Sequence, residues 1–261
     1  MRILFIGDVV GRPGRTAVKA LIPAIKTETG AEVVIANGEN LAAGIGVTPE
    51  KAREMLEGGV DILTGGNHVW KKKEIGDFLN NTDRMIRPAN YPPGAPGLGA
   101  TVMDLGGRRR LGVLNLQGRI FMNDPLDCPF RCADREVAAL REHTPVIIVD
   151  FHAETTSEKR ALAIHLDGKV TALVGTHTHV QTADEMILPD GTGFISDVGM
   201  AGPIDSVIGM KKEQVLHRFK TQLPVMFQVA GGEVCVDAVL IEADERTGRC
   251  LSIWRMRRRF N

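Results

Sequence analysis

Short runs of aliphatic and β-branched residues recur along the chain, at 2–7, 32–36, 61–65, 110–118, 145–151 and 169–175, and helix-forming stretches separate most of them. The runs are nearly continuous in apolar character, the pattern of strands buried on both faces of a sheet. Helices are expected over 14–28, 72–79, 133–142 and 158–164, from about Lys211, and from Thr48-Pro49-Glu50, where Thr48 can cap and Pro49 suits the first turn. The last third reads differently. MILPDGTGFISD contains a Pro189-Asp190-Gly191 turn, and VMFQVAGGEVCVDAVLIEAD reads as a second hairpin around Gly231-Gly232. Mixed βα units that end in antiparallel strands imply two sheets face to face with helices outside. No linker, repeat or low-complexity segment interrupts 1–261, which is expected to form one domain.

The polar residues fall on one edge of this scheme. Gly7-Asp8, Asn37-Gly38-Glu39-Asn40, Gly66-Asn67-His68, Asp150-Phe151-His152-Ala153-Glu154 and Gly175-Thr176-His177-Thr178-His179 each lie at or just past the C-terminal end of an expected strand. In α/β folds that edge is where loops splay around a ligand crevice. Taken singly, each has a plainer reading: a helix cap for Asp8, a turn for Asn67-His68, a polar strand end for the 175–179 run, a structural role for His152. All the plain readings would have to hold together, whereas one metal centre accounts for the set. Three imidazoles, two carboxylates and amide oxygens, without thiolates, suit Mn, Fe or Zn. His177 and His179 can approach two adjacent ions, and Glu39 can bridge them. The remaining histidines, His143, His165 and His217, lie at or near helices or turns and read as structural or surface residues.

Bulk properties exclude other classes. Formal net charge is zero, so no global field draws the chain to nucleic acid or anionic lipid. With 43% hydrophobic and 25% charged residues, the chain can fill an ordinary globular core. No apolar stretch approaches a membrane span, the N-terminal run lacks a secretory cleavage site, and the four cysteines (Cys128, Cys132, Cys235, Cys250) form neither a CxxC nor a disulfide framework. A cytoplasmic protein with reduced thiols is the expectation.

With these residues in hand, the chain resembles the calcineurin-like metallophosphoesterases, whose signature runs Asp, GNH, a lone His and GHxH. GNH is Gly66-Asn67-His68; GHxH has one residue inserted before the first His, at Gly175-Thr176-His177-Thr178-His179. The likeness is tighter to the YmdB-like phosphodiesterases. It is carried by GDVVGRPGR at 7–15, NGEN at 37–40, GNHVW at 66–70, RPANYP at 87–92, NLQGR at 115–119, DFHAETTSEK at 150–159, VGTHTHVQTAD at 174–184 and SDVGMAGP at 196–203, which together span nearly the whole chain. The broad superfamily opens with Asp-x-His, whereas Val9-Val10 follow Asp8 here, a change the subfamily shares. The resemblance implies a four-layer αββα sandwich, the metallo-dependent phosphatase fold, with two mixed sheets and flanking helices. It also implies two metals, Fe or Mn with Zn also fitting: one held by Asp8, Glu39, Asn40 and His179, the other by Glu39, Asn67, His152 and His177.

The chemistry expected is attack on phosphorus by a hydroxide shared between two cations, with His68 as general acid, since it adjoins Asn67 without a metal of its own. The family implies a 2′,3′-cyclic nucleotide opened to a 3′-phosphate; composition shows nothing of this. Alternatives are a phosphomonoesterase, an enzyme of RNA ends or phospholipid headgroups, and a regulatory protein that binds a nucleotide or partner with little turnover. Trp70 and Tyr91 can stack on a base or pack into the fold. The arginines at 108–110 and 255–259 read as solvated turn and strand ends, or as contacts to RNA or headgroups. Beyond a small phosphodiester substrate, the partner expected is a second copy of the chain.

Overall fold

In the computed structural model, which describes residues 1–261, each of the six apolar runs becomes a strand. In chain order come β1 (Arg2–Ile6), β2 (Asp8–Val9), α1 (Gly11–Thr29), β3 (Val33–Asn37), α2 (Pro49–Glu57) and β4 (Ile62–Thr64). A 3₁₀ turn (Val69–Lys71) leads to α3 (Ile75–Asn80), β5 (Ala100–Asp104), β6 (Arg110–Gln117), α4 (Pro129–Arg141), β7 (Ile147–His152), α5 (Thr156–His165) and β8 (Ala172–Thr176). The chain closes with β9 (Met186–Ile187), β10 (Gly193–Ile195), β11 (Met200–Pro203), α6 (Lys212–Thr221), β12 (Val234–Ala243) and β13 (Cys250–Phe260).

Two mixed sheets result. One runs β2-β11-β12-β1-β3-β4 with β13 on the far side of β12; the other runs β5-β6-β7-β8-β10-β9. In the second sheet β6, β7, β8 and β10 are parallel, and β5 and β9 close its edges antiparallel. Strand alternation sorts the apolar residues into three layers. Leu4, Ile6, Val34 and Ala36 face α1 and α2. Ile3, Phe5, Val33 and Ile35 meet Val113, Ile148, Ala172 and Val174 between the sheets. Leu114, Ile147, Val149 and Phe151 face α4 and α5. The architecture is therefore α-β-β-α, as expected. Thr48 caps α2 by accepting from the Lys51 N–H, with Pro49 in the first turn.

The C-terminal region departs from expectation. No hairpin turns at Gly231-Gly232. Residues 223–228 form no strand, and β12 instead pairs antiparallel with β1, β11 and β13. Its hairpin partner is β13, joined through a turn at 244–249. β13 carries four arginines, Arg255 and Arg257 to Arg259, and has no apolar run to announce it. Those arginines are matched by Glu185, Asp237, Glu28 and Glu233 respectively, so this cluster is an ion-paired edge strand. Arg109 likewise meets Glu32 and Glu245, and Arg110 lies near Asp104.

The seam between the sheets ends in polar side chains. Two residues beyond Ile35, Ile62, Val113, Ile148 and Val174, on the same strand faces, stand Asn37, Thr64, Asn115, Asp150 and Thr176. All five are fully buried. They interlock across the sheets: Asn37 donates to Asp150, Thr64 donates to Asp150, and Asn115 accepts from the Gly65 N–H. This seam brings the carboxyl ends of β3, β4, β6, β7 and β8 to one rim.

Candidate metal centre

On that rim the structure gathers the residues picked out in the sequence. Glu39 is central. Its Oε2 accepts from the His68 backbone N–H at 3.0 Å and lies 3.3 Å from His152 Nε2. Its Oε1 accepts from Asn40 Nδ2 at 3.0 Å and lies 3.2 Å from His68 Nδ1. His152 Nε2 is 3.0 Å from Asn67 Oδ1 and 3.0 Å from His177 Nδ1. On the other side, His179 Nε2 lies 3.6 Å from Asp8 Oδ1 and 3.3 Å from Asn40 Nδ2. Asn40 turns its amide nitrogen to Glu39 and His179 and its oxygen to His68 Nδ1 at 2.9 Å. A half-turn of that amide exchanges the two. Asp8, Glu39, Asn40, His152 and His179 are buried, whereas Asn67, His68 and His177 are half-buried.

Three features suit a cation. Ligand atoms of Glu39, His152 and His177 lie within 4.8 Å of one another. Asp8 Oδ2 accepts the His177 backbone N–H at 3.1 Å, but Asp8 Oδ1 is buried with no hydrogen-bond donor, a costly arrangement for a carboxylate that a positive ion would relieve. A Cβ on Gly66 would come within 2.3 Å of Glu39 Oε2 and 2.4 Å of His152 Nε2, so only glycine leaves the space where these atoms converge.

The second ring nitrogen of each histidine has its own partner. His152 Nδ1 is 2.9 Å from Thr176 Oγ1, His177 Nε2 is 3.1 Å from Glu154 Oε2, and His179 Nδ1 donates to the Ile208 carbonyl at 2.9 Å. Such partners orient metal-binding imidazoles. His177 and His179 have φ of +101° and +64°, in a region non-glycine residues seldom occupy, at a cost of about 1–3 kcal/mol each. The turn is held by Asp197, whose Oδ2 accepts from the Thr178 N–H and hydroxyl and from the Lys159 ammonium. Gly175, just before it, is the only residue type that fits: its Cβ would sit 1.8 Å from the Ser196 carbonyl oxygen.

The electrostatics favour positive charge at the cluster. Burial raises the Asp8 carboxyl, but His179 and then His152 outweigh it and hold the group below its ordinary value. Glu39 is likewise raised by burial and drawn well below the ordinary range by His152 and His68. Burial lowers His152, yet Glu39 and then Asp8 push it up to about 9. His177 goes the other way, down to about 4, through burial and its neighbour His152. Asp150, beneath the site, is pushed up by burial to about 6 against the opposing pull of His152 and its Thr64 and Thr176 hydrogen bonds.

A family profile described as YmdB-like protein matches residues 4–256. The chain belongs to the YmdB-like family. It is 50% identical over 256 residues to a 2′,3′-cyclic-nucleotide 2′-phosphodiesterase of Bacillus subtilis, covering 98% of this chain and 96% of that one. Among solved structures it is similar to a novel phosphatase of Mycoplasma pneumoniae, with 33% identity, a TM-score of 0.93 and coverage of 99% and 93% of the two chains. A hypothetical protein of Thermus thermophilus matches with 43% identity and a TM-score of 0.92 over 99% of both chains. The fold assigned to this YmdB-like chain is thus that of a phosphatase in its own family.

Several residues around the site went unassigned in the sequence reading: Asp150, Thr176, Asn37 and Thr64 below it, and Lys159 and Asp197 behind the His177–His179 turn. A signal for Asp150 existed, because it stands two positions before His152 and therefore on the same strand face. Trp70 and Tyr91 meet edge to face at 5.7 Å and pack against the α1–α2 core layer. His165 pairs with Asp134 at 2.8 Å, while His143 and His217 are exposed. All four cysteines are free thiols, and no helix is long and apolar enough to cross a membrane.

Proposed function

We propose that residues 1–261 work as one unit, a dinuclear-metal phosphodiesterase that opens 2′,3′-cyclic nucleotides to 3′-phosphates. The observation that carries this reading is the convergence of carboxylate, imidazole and amide donors on the space beside Gly66, together with a donorless Asp8 oxygen 3.6 Å from His179 Nε2. In this reading Asp8, Glu39, Asn40 and His179 hold one divalent ion and Glu39, Asn67, His152 and His177 the other, with Glu39 shared. Two such ions supply an acidified water as nucleophile and neutralise charge on the phosphoryl oxygens. Iron or manganese suits the donor set best, and zinc also fits.

His68 is the proton donor to the leaving oxygen. Its Nδ1 is engaged by Asn40 Oδ1 and Glu39 Oε1, and its Nε2 makes no hydrogen bond within the protein. A half-exposed imidazole anchored at one nitrogen and free at the other is suited to deliver a proton. The name of the Bacillus subtilis relative supports the diester and its cyclic form. The protein is expected to act in the cytoplasm, as a homo-oligomer.

The test is a substrate panel with the purified, metal-replete protein: 2′,3′-cyclic AMP, bis(p-nitrophenyl) phosphate and p-nitrophenyl phosphate. Preference for the monoester would reject the diesterase. His68→Ala should lower turnover about 10²–10⁴-fold with metal content unchanged. Full activity in that variant would remove His68 from the chemistry, and absence of turnover in the wild type would favour a binding role.

A further inference from the structure

Asp150 lies below the donor cluster and touches none of the substrate-facing groups, yet it is fully buried and receives three hydrogen bonds. Its Oδ2 accepts from Thr64 Oγ1 at 2.5 Å and from Asn37 Nδ2 at 3.0 Å, and its Oδ1 accepts from Thr176 Oγ1 at 2.7 Å. A hydroxyl has one proton to give. With that of Thr176 directed at Asp150, its oxygen faces His152 Nδ1, 2.9 Å away, only as an acceptor. The Asn37 amide nitrogen lies 3.4 Å from the same Thr176 oxygen. The Asn37 amide also lies 3.5 Å from His152 Nδ1, but its protons have nearer acceptors in Asp150 and the Gly65 carbonyl at 3.1 Å. Nδ1 must therefore be the donor.

From this relay we propose that Asp150, acting through the Thr176 hydroxyl, is a positioning residue that fixes the His152 proton on Nδ1 and so reserves Nε2 for a cation. The inference rests on the proposed metal centre and adds to it the cause of its donor chemistry. His152 Nε2 faces Asn67 Oδ1, Glu39 Oε2 and His177 Nδ1, all within 3.3 Å. That side of the ring can join them around an ion only if it is the nitrogen left without a proton. His179 reaches the same state by a simpler route, because its Nδ1 donates directly to the Ile208 carbonyl. For His152 no backbone carbonyl serves this purpose, and a hydroxyl, which can face either way, takes its place. Asp150 gives the hydroxyl its direction. The variant Asp150→Asn should undo this: Thr64 and Asn37 are both donors and claim the amide oxygen, which leaves the amide NH₂ to donate to Thr176. The Thr176 hydroxyl is then free to donate to His152 Nδ1, and the proton is displaced to Nε2.

The experiment uses protein loaded with zinc, which is diamagnetic, labelled with ¹⁵N-histidine, and read by long-range ¹H–¹⁵N correlation alongside zinc titration. The wild type and Thr176→Ser should both show His152 with a proton on Nδ1 and zinc on Nε2. Thr176→Val and Asp150→Asn should lose that Nδ1 proton signature and bind zinc about 10–100-fold more weakly. A wild type with zinc on Nδ1, or a Thr176→Val variant with unchanged signature and affinity, overturns the proposal. So does Thr176→Ser failing as badly as Thr176→Val, since the hydroxyl would then not be what matters. A His152→Ala variant separates the two readings: if it keeps full zinc content and affinity, the metal centre itself is wrong, whereas its loss with an intact Nδ1 proton in Thr176→Val refutes only the relay.

Discussion

Replacing Lys159 by Met removes one charge from a buried pair while nearly preserving volume. Lys159 Nζ lies 2.9 Å from Asp197 Oδ2, and both side chains are 1% exposed. Removing one partner of a buried ion pair leaves the other charge uncompensated, at about 3–5 kcal/mol. Asp197 retains the Thr178 N–H, the Thr178 hydroxyl and, on Oδ1, the Gly199 N–H. Those donors spread the charge, so the low end applies, about 3 kcal/mol. For a chain of this size each kcal/mol shifts Tm by about 2–4 °C, giving a fall of about 6–12 °C. Urea unfolding and thermal melts, followed by circular dichroism in chelator so that metal binding does not contribute, measure both quantities. Adding Asp197→Asn should restore part of the loss, because it removes the buried charge and keeps an oxygen for Thr178. A loss below about 1 kcal/mol in Lys159→Met would refute the reasoning, since backbone and hydroxyl donors alone would then suffice for the carboxylate.

Three further outcomes are expected. Gly66→Ala puts a methyl group among Glu39 Oε2 and His152 Nε2, so metal content measured by elemental analysis should fall sharply while far-ultraviolet circular dichroism stays near wild type. Chelation should lower the melting temperature and manganese should restore it, with about 4 kcal/mol of stabilisation when free metal is 1,000 times its Kd; a melting curve indifferent to metal would contradict a folded-state site. Glu245, held down to about 2 chiefly by its hydrogen bonds to Arg109, has an ordinary value of 4.5. Its pairing thus stabilises fully above about pH 4.5 and fades as pH falls toward 2, so the difference in urea midpoint between wild type and Arg109→Ala should be flat from pH 7 to 5, shrink below that, and weaken in salt.

The parallel strands β1, β3, β4, β6, β7 and β8 were legible because each is locally apolar, and α2 was announced by Thr48 and Pro49, whereas the two-residue β2 and the half-exposed edge strand β5 carry no such signal. The site's ligand-type residues were legible for a related reason: they follow the strands in sequence, at one edge. β13 was not, because its arginines look like solvent-facing residues until Asp237, Glu233, Glu185 and Glu28 are placed beside them by distant chain segments. The false hairpin at Gly231-Gly232 arose the same way. A glycine pair next to β-rich residues is a local cue, whereas β12 takes its partners from β1, β11 and β13. The role of Asp150 needed both sheets at once, since Thr64 and Asn37 come from one and Thr176 from the other.

The polar seam ties the geometry of the proposed metal centre to strand alignment. Asn37, Thr64, Asp150 and Thr176 occupy the same alternation that buries Ile35, Ile62, Ile148 and Val174 one step earlier. A slip of β7 by a single residue would turn Phe151 into the seam and swing both Asp150 and His152 onto the face covered by α4 and α5, placing a carboxylate and an imidazole in an apolar layer. Misthreaded chains thus fail at the core and at the proposed metal centre together, and any chain that passes the first requirement arrives with the second already aligned.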